Sequence, residues 1–292
     1  MEISSKYVGV SLKEYRTVVR WRDTMNYAAA VGDNNPRYFD DRRKDGIVAP
    51  PMVAVALTWP IVQNLWEFIE ASDFPFDILQ RQVHYSEYLH LHDAIKPGDE
   101  LWINGEIIAI VPGKSGTHIV IRFIAINQDG KAIFTEFIGG MMRGVHCSDA
   151  GAGGETLPKI PVPGKLNTPV WEKKIKIDPL LPYIYDGCSN IVFPIHTSQK
   201  FAQKVGLPGI LLQGTAALAF AAREILDRHA ESNPQKLKAL SCRFADMILP
   251  GTKIKIQLLS LEKNGENIDL YFQILGEKNQ LVIKNGFARM QT

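Results

Sequence analysis

The feature that most limits how this chain can fold is a degenerate repeat. GDNNPRYFD (32–40), GIVAPPMVAVAL (46–57), IKPGDELWINGEI (95–107) and GGMMRG (139–144) are followed, in the same order, by NIVFPIH (190–196), GILLQGTAALAF (209–220), ILPGTKIKIQL (248–258) and NGFARM (285–290). The spacing is steady: 158 residues from Pro36 to Pro194, 153 from Pro97 to Pro250 in the PG turns, and 146 from Arg143 to Arg289. Such offsets indicate one unit written twice, with insertions and deletions in its loops. Whatever the first half folds into, the second must follow.

Within a unit the periodicities are readable. Residues 212–229, LQGTAALAFAAREILDRH, are rich in alanine and leucine and lack proline, which predicts a mostly apolar, buried helix. Four alternating runs follow, LKALSCRFADMIL, TKIKIQLLSLE, NIDLYFQILG and LVIKNGFARMQ, separated by the turn signals PG, KNGEN and EKNQ. They predict antiparallel strands. The first half predicts a helix over 51–71, kinked or restarted at Pro60, and strands near 81–91, 100–111, 117–127 and 131–143. A buried helix against one face of a curved antiparallel sheet, twice over, is an α+β fold. The proline-rich TLPKIPVPGKLNTP (156–169) reads as a connector. The units are therefore placed at 1–144 and 170–292, with a linker over 145–169, and the stretch YDGCSNIVFPIH (185–196) reads as irregular.

Composition narrows the function. A chain of 292 residues, 46% hydrophobic, buries a sizeable core. Lysine plus arginine (33) nearly balances aspartate plus glutamate (31), so no global field draws it to nucleic acid or an anionic membrane. MEISSKYVGV lacks the apolar stretch of a secretory signal, and no run reaches the roughly 18 apolar residues of a membrane span. A soluble, cytoplasmic protein is expected. Cys147, Cys188 and Cys242 have no metal-like spacing and are expected to be reduced thiols.

These motifs resemble the double hotdog members of the MaoC-like hydratases and dehydratases, also called hydratase 2 or (R)-specific enoyl-CoA hydratases. AVGDNNPRYFDD and GIVAPPM carry the resemblance in the first half; FPIHT, GLPGILLQGTAALA and RFADMILPG carry it in the second. The resemblance implies two long helices, each wrapped by its own sheet, with the sheets joined edge to edge. It implies a catalytic second half, and a first half that shapes the acyl and coenzyme pocket. The implied reaction is reversible addition of water to a trans-2-enoyl thioester, giving an (R)-3-hydroxyacyl product. Coenzyme A would enter only as part of the substrate, or an acyl-carrier protein would stand in its place; no metal or redox cofactor is implied. Exposed sheet edges suggest a homodimer.

The family's catalytic loop reads roughly Gly-Asp-x-Asn-Pro-x-His, its Asp and His facing one water. The first half keeps Asp33, Asn35 and Pro36 but has Tyr38 at the histidine position. The second keeps Pro194 and His196 but has Phe193 at the asparagine position. Aligned without a gap, Ile191 falls at the aspartate position; a loop one residue longer puts Asn190 there. Neither is a carboxylate. Hydration needs a base for water, an acid for the α-carbon and donors for the developing enolate oxygen. The resemblance implies His196 for the first two and the backbone N–H of Gly214 for the third, with Asn190 or Asp186 orienting the water. Asp33 is expected at the opposite end of the pseudo-two-fold pair. Two other readings use the same scaffold: a degenerate hotdog that binds acyl-CoA or borrows a carboxylate from another chain, and a thioesterase, for which Glu224 is the only glutamate on the long helix. Cys188 reads as a packed thiol and His84, His90 and His92 as strand residues rather than metal ligands. Arg243 and Arg289 are assigned no role.

Overall fold

Each alternating run forms a strand whose apolar side chains turn toward a helix. The computed structural model describes residues 1–164 and 168–292. The first half contains β1 (Glu2–Ile3), β2 (Ser11–Val18), α1 (Trp21–Ala30), α2 (Val53–Gln63), α3 (Leu65–Phe68), β3 (Gln82–Leu91), β4 (Glu100–Gly113), β5 (Gly116–Asn127), β6 (Ala132–Arg143) and β7 (His146–Cys147). The second contains β8 (Trp171–Lys176), α4 (Leu181–Ser189), α5 (Gln199–Lys204), α6 (Gly214–His229), β9 (Leu237–Phe244), β10 (Lys253–Asn264), β11 (Asn267–Leu275) and β12 (Leu281–Gln291). Ten strands form one antiparallel sheet in the order β2-β4-β5-β6-β3-β9-β12-β11-β10-β8. This is the double hotdog: two five-stranded halves joined where β3 pairs with β9.

The helices differ because their sequences do. Alanine-rich α6 runs unbroken and buries both faces through most of its length. The expected helix over 51–71 is shorter and divided. α2 passes through Pro60 and ends at Gln63, and Asn64 (φ −123°, ψ 37°) turns the chain before α3. A proline removes an N–H and crowds the preceding turn, which weakens the helix around it. Residues from both halves, among them Met52, Ile107, Ala217, Leu240 and Phe272, belong to one continuous core.

The internal two-fold is visible in two self-matching contacts. Tyr88 of β3 pairs with Ser241 of β9, its equivalent 153 residues later, and Leu89 and Leu240 flank them. Tyr27 of α1 and Tyr185 of α4, 158 residues apart, meet hydroxyl to hydroxyl at 2.8 Å, and Tyr185 donates onward to Thr215. Irregularities obey the same relation: β3 skips Tyr85 in its pairing with β6, and β9 skips the equivalent Lys238 in its pairing with β12.

Three expectations are corrected. The strand register makes Gly139, not Arg143, the counterpart of Arg289, because their partners Ser86 and Ala239 are equivalent across the seam. The start of the irregular stretch, through Ser189, is the end of α4, with Pro182 in the first turn where its missing N–H is harmless. The expected linker is partly built into the first half: β7 pairs with β1, and Ala152 bridges Ile110. Its residues Lys165, Leu166 and Asn167 lie outside the described residues.

Candidate active site

The site is built on the turn from α4 into a short 3-10 segment, Pro194–His196, facing the start of α6. α4 stops because Asn190 adopts the left-handed conformation (φ 57°, ψ 20°), its N–H bonding back to Asp186 O at 3.1 Å. Gly32, its equivalent, also has positive φ (61°). The Asn190 residue is thus explained by the turn, since asparagine tolerates this conformation better than most side chains. It is exposed, and its amide makes no hydrogen bond among the described residues. Ile191, the counterpart of Asp33, is buried.

His196 is fixed at both ends. Its backbone N–H donates to Phe193 O at 3.0 Å, and its ring Nδ1 lies 2.9 Å from Leu211 O. A carbonyl can only accept, so Nδ1 carries the hydrogen and Nε2 keeps its lone pair, without a protein partner among the described residues. Burial holds the imidazole down to about 4, so it is neutral at physiological pH and ready to accept a proton.

Asp186 meets the same residue, Phe193, at its N–H. Its carboxylate accepts from the Phe193 N–H, while Oδ1 is buried without a partner. Burial pushes this carboxyl up, against the opposing pull of that hydrogen bond. The internal repeat gives a second view of the neighbourhood. Ala28, Tyr38 and Val48 pack together in the first half, and their equivalents are Asp186, His196 and Leu211. Asp186 thus occupies the place of a small alanine beside the histidine position.

Gly214 is the first residue of α6, and no backbone oxygen among the described residues accepts its N–H. A Cβ here would come within 2.8 Å of the Phe244 ring, so only glycine keeps this approach open. A free N–H at a helix N-terminus favours developing negative charge. Phe244 was not singled out in the sequence; its signal is the RFADMILPG motif that contains it.

The first half lacks each of these elements. Pro51 stands opposite Gly214, given the 163-residue shift from Gly46 to Gly209, and proline has no N–H. Tyr38 is fully buried, its hydroxyl unpartnered. A cavity of about 110 Å³ remains there, lined in part by Val48, Pro51, Leu91, Asp93 and Leu237. Asp33 is buried, bonded to the Asn35 N–H at 3.1 Å and pushed up to about 6 by burial. It feels Asp227 and Arg223 of α6, which lie roughly 20 and 14 Å along the helix from Gly214 at 1.5 Å per residue.

The remaining candidates are engaged elsewhere. Glu224 is buried between Arg223 (2.9 Å) and Arg228 (3.3 Å). Arg289 is paired with Asp269 at 2.6 and 2.7 Å, and the Arg243 guanidinium lies over the Tyr85 ring. His92 bonds Thr135, and among the described residues no group of three or more His, Cys, Asp or Glu side chains converges as metal ligands would.

With this geometry in view, comparison with known proteins places the chain. Residues 6–136 match the FAS1-like, dehydratase domain region, and residues 166–283 match the MaoC like domain. The chain carries a FAS1-like dehydratase region followed by a MaoC-like domain. The peroxisomal multifunctional enzyme type 2 of Drosophila melanogaster is 24% identical over 214 residues, covering 72% of this chain but 34% of that protein. The chain thus spans about a third of that relative's length. The probable enoyl-CoA hydratase 2 of Dictyostelium discoideum is 22% identical over 87% of this chain and 85% of its own. Among solved structures, a MaoC-like dehydratase from Phytophthora capsici superposes with a TM-score of 0.82 at 16% identity, covering 98% of both chains, which establishes the shared fold. Among the described residues, no helix of this MaoC-like chain is long and apolar enough to cross a membrane.

Proposed function

We propose that this chain adds water reversibly to a trans-2-enoyl thioester, most simply an enoyl-CoA, giving the (R)-3-hydroxyacyl product. The observation that carries the reading is His196, tethered through Nδ1 to Leu211 O with Nε2 left basic, beside a glycine-started helix. Water gives its proton to Nε2 as its oxygen bonds to the β-carbon. The π electrons move toward the thioester oxygen, where the Gly214 N–H stabilises the charge. The α-carbon then takes a proton from an acid of the site as the enolate collapses to product, and His196 returns the proton it accepted to solvent. Asp186, with one buried free oxygen, is the better water-orienting partner; the exposed Asn190 amide has less claim. Coenzyme A takes part only as the carrier of the acyl group.

In this reading the first half accommodates the acyl chain. An apolar cavity there, bordered by Leu65, Phe74, Gln82, Ile121, Ile138 and Met142, has a free volume of about 20 Å³. That is room for about one water, so a long chain must push these lining side chains apart. Short 2-enoyl-CoA substrates should accordingly have lower KM than long ones.

The test is loss of enoyl absorbance with crotonyl-CoA, followed by chiral analysis of the product. Turnover to the (R)-alcohol supports the proposal; tight binding without turnover would favour the degenerate binder, which the buried Ile191 at the aspartate position also suits. Release of free thiol would indicate a thioesterase, although Glu224 is already committed to two arginines.

A further inference from the structure

A second set of acidic and basic side chains, which the mechanism above does not use, approaches this site from the first half. His84 Nε2 lies 3.2 Å from Glu87 Oε2, and the His84 ring packs on the Phe244 ring with centroids 4.5 Å apart. Phe244 is the side chain that closes on Gly214. Behind His84, Glu87 and Glu136 are sealed from solvent (1% and 0% exposed), and three of their four carboxyl oxygens have no hydrogen-bond partner.

The internal two-fold points to the same place. The cavity of the first half is lined by Pro51, Leu91 and Leu237. Their equivalents in the second half are Gly214, Phe244 and His84, the last two by the 153-residue relation of the seam. His84 therefore lines the His196 site although it is carried by the other half. The repeat also supplies a control. The positions equivalent to His84, Glu87 and Glu136 are Leu237, Leu240 and Gly286, so the fold is built in the second half without this cluster.

Resting on the hydratase reading, we propose that His84, backed by Glu87, is the acid that protonates the α-carbon, replacing the carboxylate that the His196 loop lacks. As water oxygen bonds to the β-carbon, its proton goes to His196 Nε2 and the π pair moves to the α-carbon and thioester oxygen. The α-carbon takes a proton from His84, the new C–H bond forming as the imidazole N–H bond breaks. The Glu87 carboxyl proton then passes to His84 and leaves a carboxylate. His196 then releases its proton to solvent, and His84, the more exposed of the pair, takes one at the nitrogen it emptied and hands the proton it holds back to Glu87, so that one water is added per thioester. Burial supports these starting states: it holds His84 down to about 4 and pushes Glu87 and Glu136 up. The groups facing Glu87 from neighbouring elements are Glu136 of β6, Tyr27 of α1 and Cys242 of β9, none of them cationic.

The decisive variants are Glu87→Gln and the double change His84→Leu with Glu87→Leu, which copies the other half. Both should fold with melting temperatures at or above that of the native chain, because a buried acid is removed. Crotonyl-CoA hydration should fall about 10²-fold in kcat with KM changed less than threefold, and Glu87→Gln should move the limbs of the kcat–pH profile. Full kcat with an unchanged profile in either variant would overturn the proposal. An independent arm titrates the His84 ring signal by NMR with butyryl-CoA, which cannot be hydrated. A shift on saturation supports His84 as a site residue; an unmoved signal overturns it. If the native chain hydrates nothing, the hydratase reading falls, while the butyryl-CoA titration still decides whether His84 faces the thioester.

Discussion

At the residue scale, the half that carries His196 differs from its counterpart at a few equivalent positions. His196 replaces Tyr38, Gly214 replaces Pro51 and Asp186 replaces Ala28. Gly214→Ala should cost about 1–3 kcal/mol of stability through the Phe244 contact and lower kcat more than KM, read by denaturant unfolding and steady-state kinetics. Asp33 offers a prediction with a pH sign. Its carboxyl is raised from 3.8 to about 6, so the folded state binds a proton that the unfolded chain has released. The stability from that proton is present below pH 3.8 and lost as pH rises to about 6, a cost of about 3 kcal/mol above that range. Asp33→Asn, which keeps an acceptor for the Asn35 N–H, should therefore raise the melting temperature at pH 8 and change it little at pH 4. The candidate site was partly legible here: the PIHT motif marked His196 and the GILLQG motif marked Gly214. Asp186 was harder to separate from Asn190, because spacing alone does not say which side chain a helix end turns inward.

At the scale of elements, strands and long helices follow their periodicity, and the short or edge elements do not announce themselves. β9 to β12 fall within a few residues of the runs that predict them. β8, with Lys173, Lys174 and Lys176, has the charge of an edge strand and little alternation to betray it. α4 has nine residues with Pro182 and Gly187 among them, too few good helix formers to stand out. Tertiary packing supplies what propensity lacks, through the Tyr27–Tyr185–Thr215 hydroxyl chain. Tyr185→Phe would leave buried Tyr27 and Thr215 hydroxyls short of a partner, and should destabilise the protein by about 1–3 kcal/mol in chemical denaturation. Because α4 carries Asp186 and leads into the His196 loop, the same change should reduce kcat.

At the scale of the molecule, the repeat predicted two units, and the structure gives two hotdogs with one core. β3 and β9 complete each other's sheet, and apolar residues run without a break across the seam. Calorimetry should show one unfolding transition rather than two. The free edges of the sheet bear on the expected homodimer. β2 carries Lys13, Glu14 and Arg16, and β8 carries its three lysines, so strand-to-strand association is opposed at both ends. A homodimer, which sedimentation would detect, would have to use another surface.

The central claim is that, of the two duplicated loops, the one carrying His196 supplies the base of the reaction and the Tyr38 loop does not. Its most direct test is kcat for crotonyl-CoA hydration in His196→Ala and in Tyr38→Phe, the two equivalent positions changed separately. The account predicts that His196→Ala loses at least about 10²-fold while still binding butyryl-CoA, and that Tyr38→Phe stays within a factor of about two, the magnitude of a change outside the reaction. Turnover surviving in His196→Ala, or lost in a folded Tyr38→Phe, would contradict it.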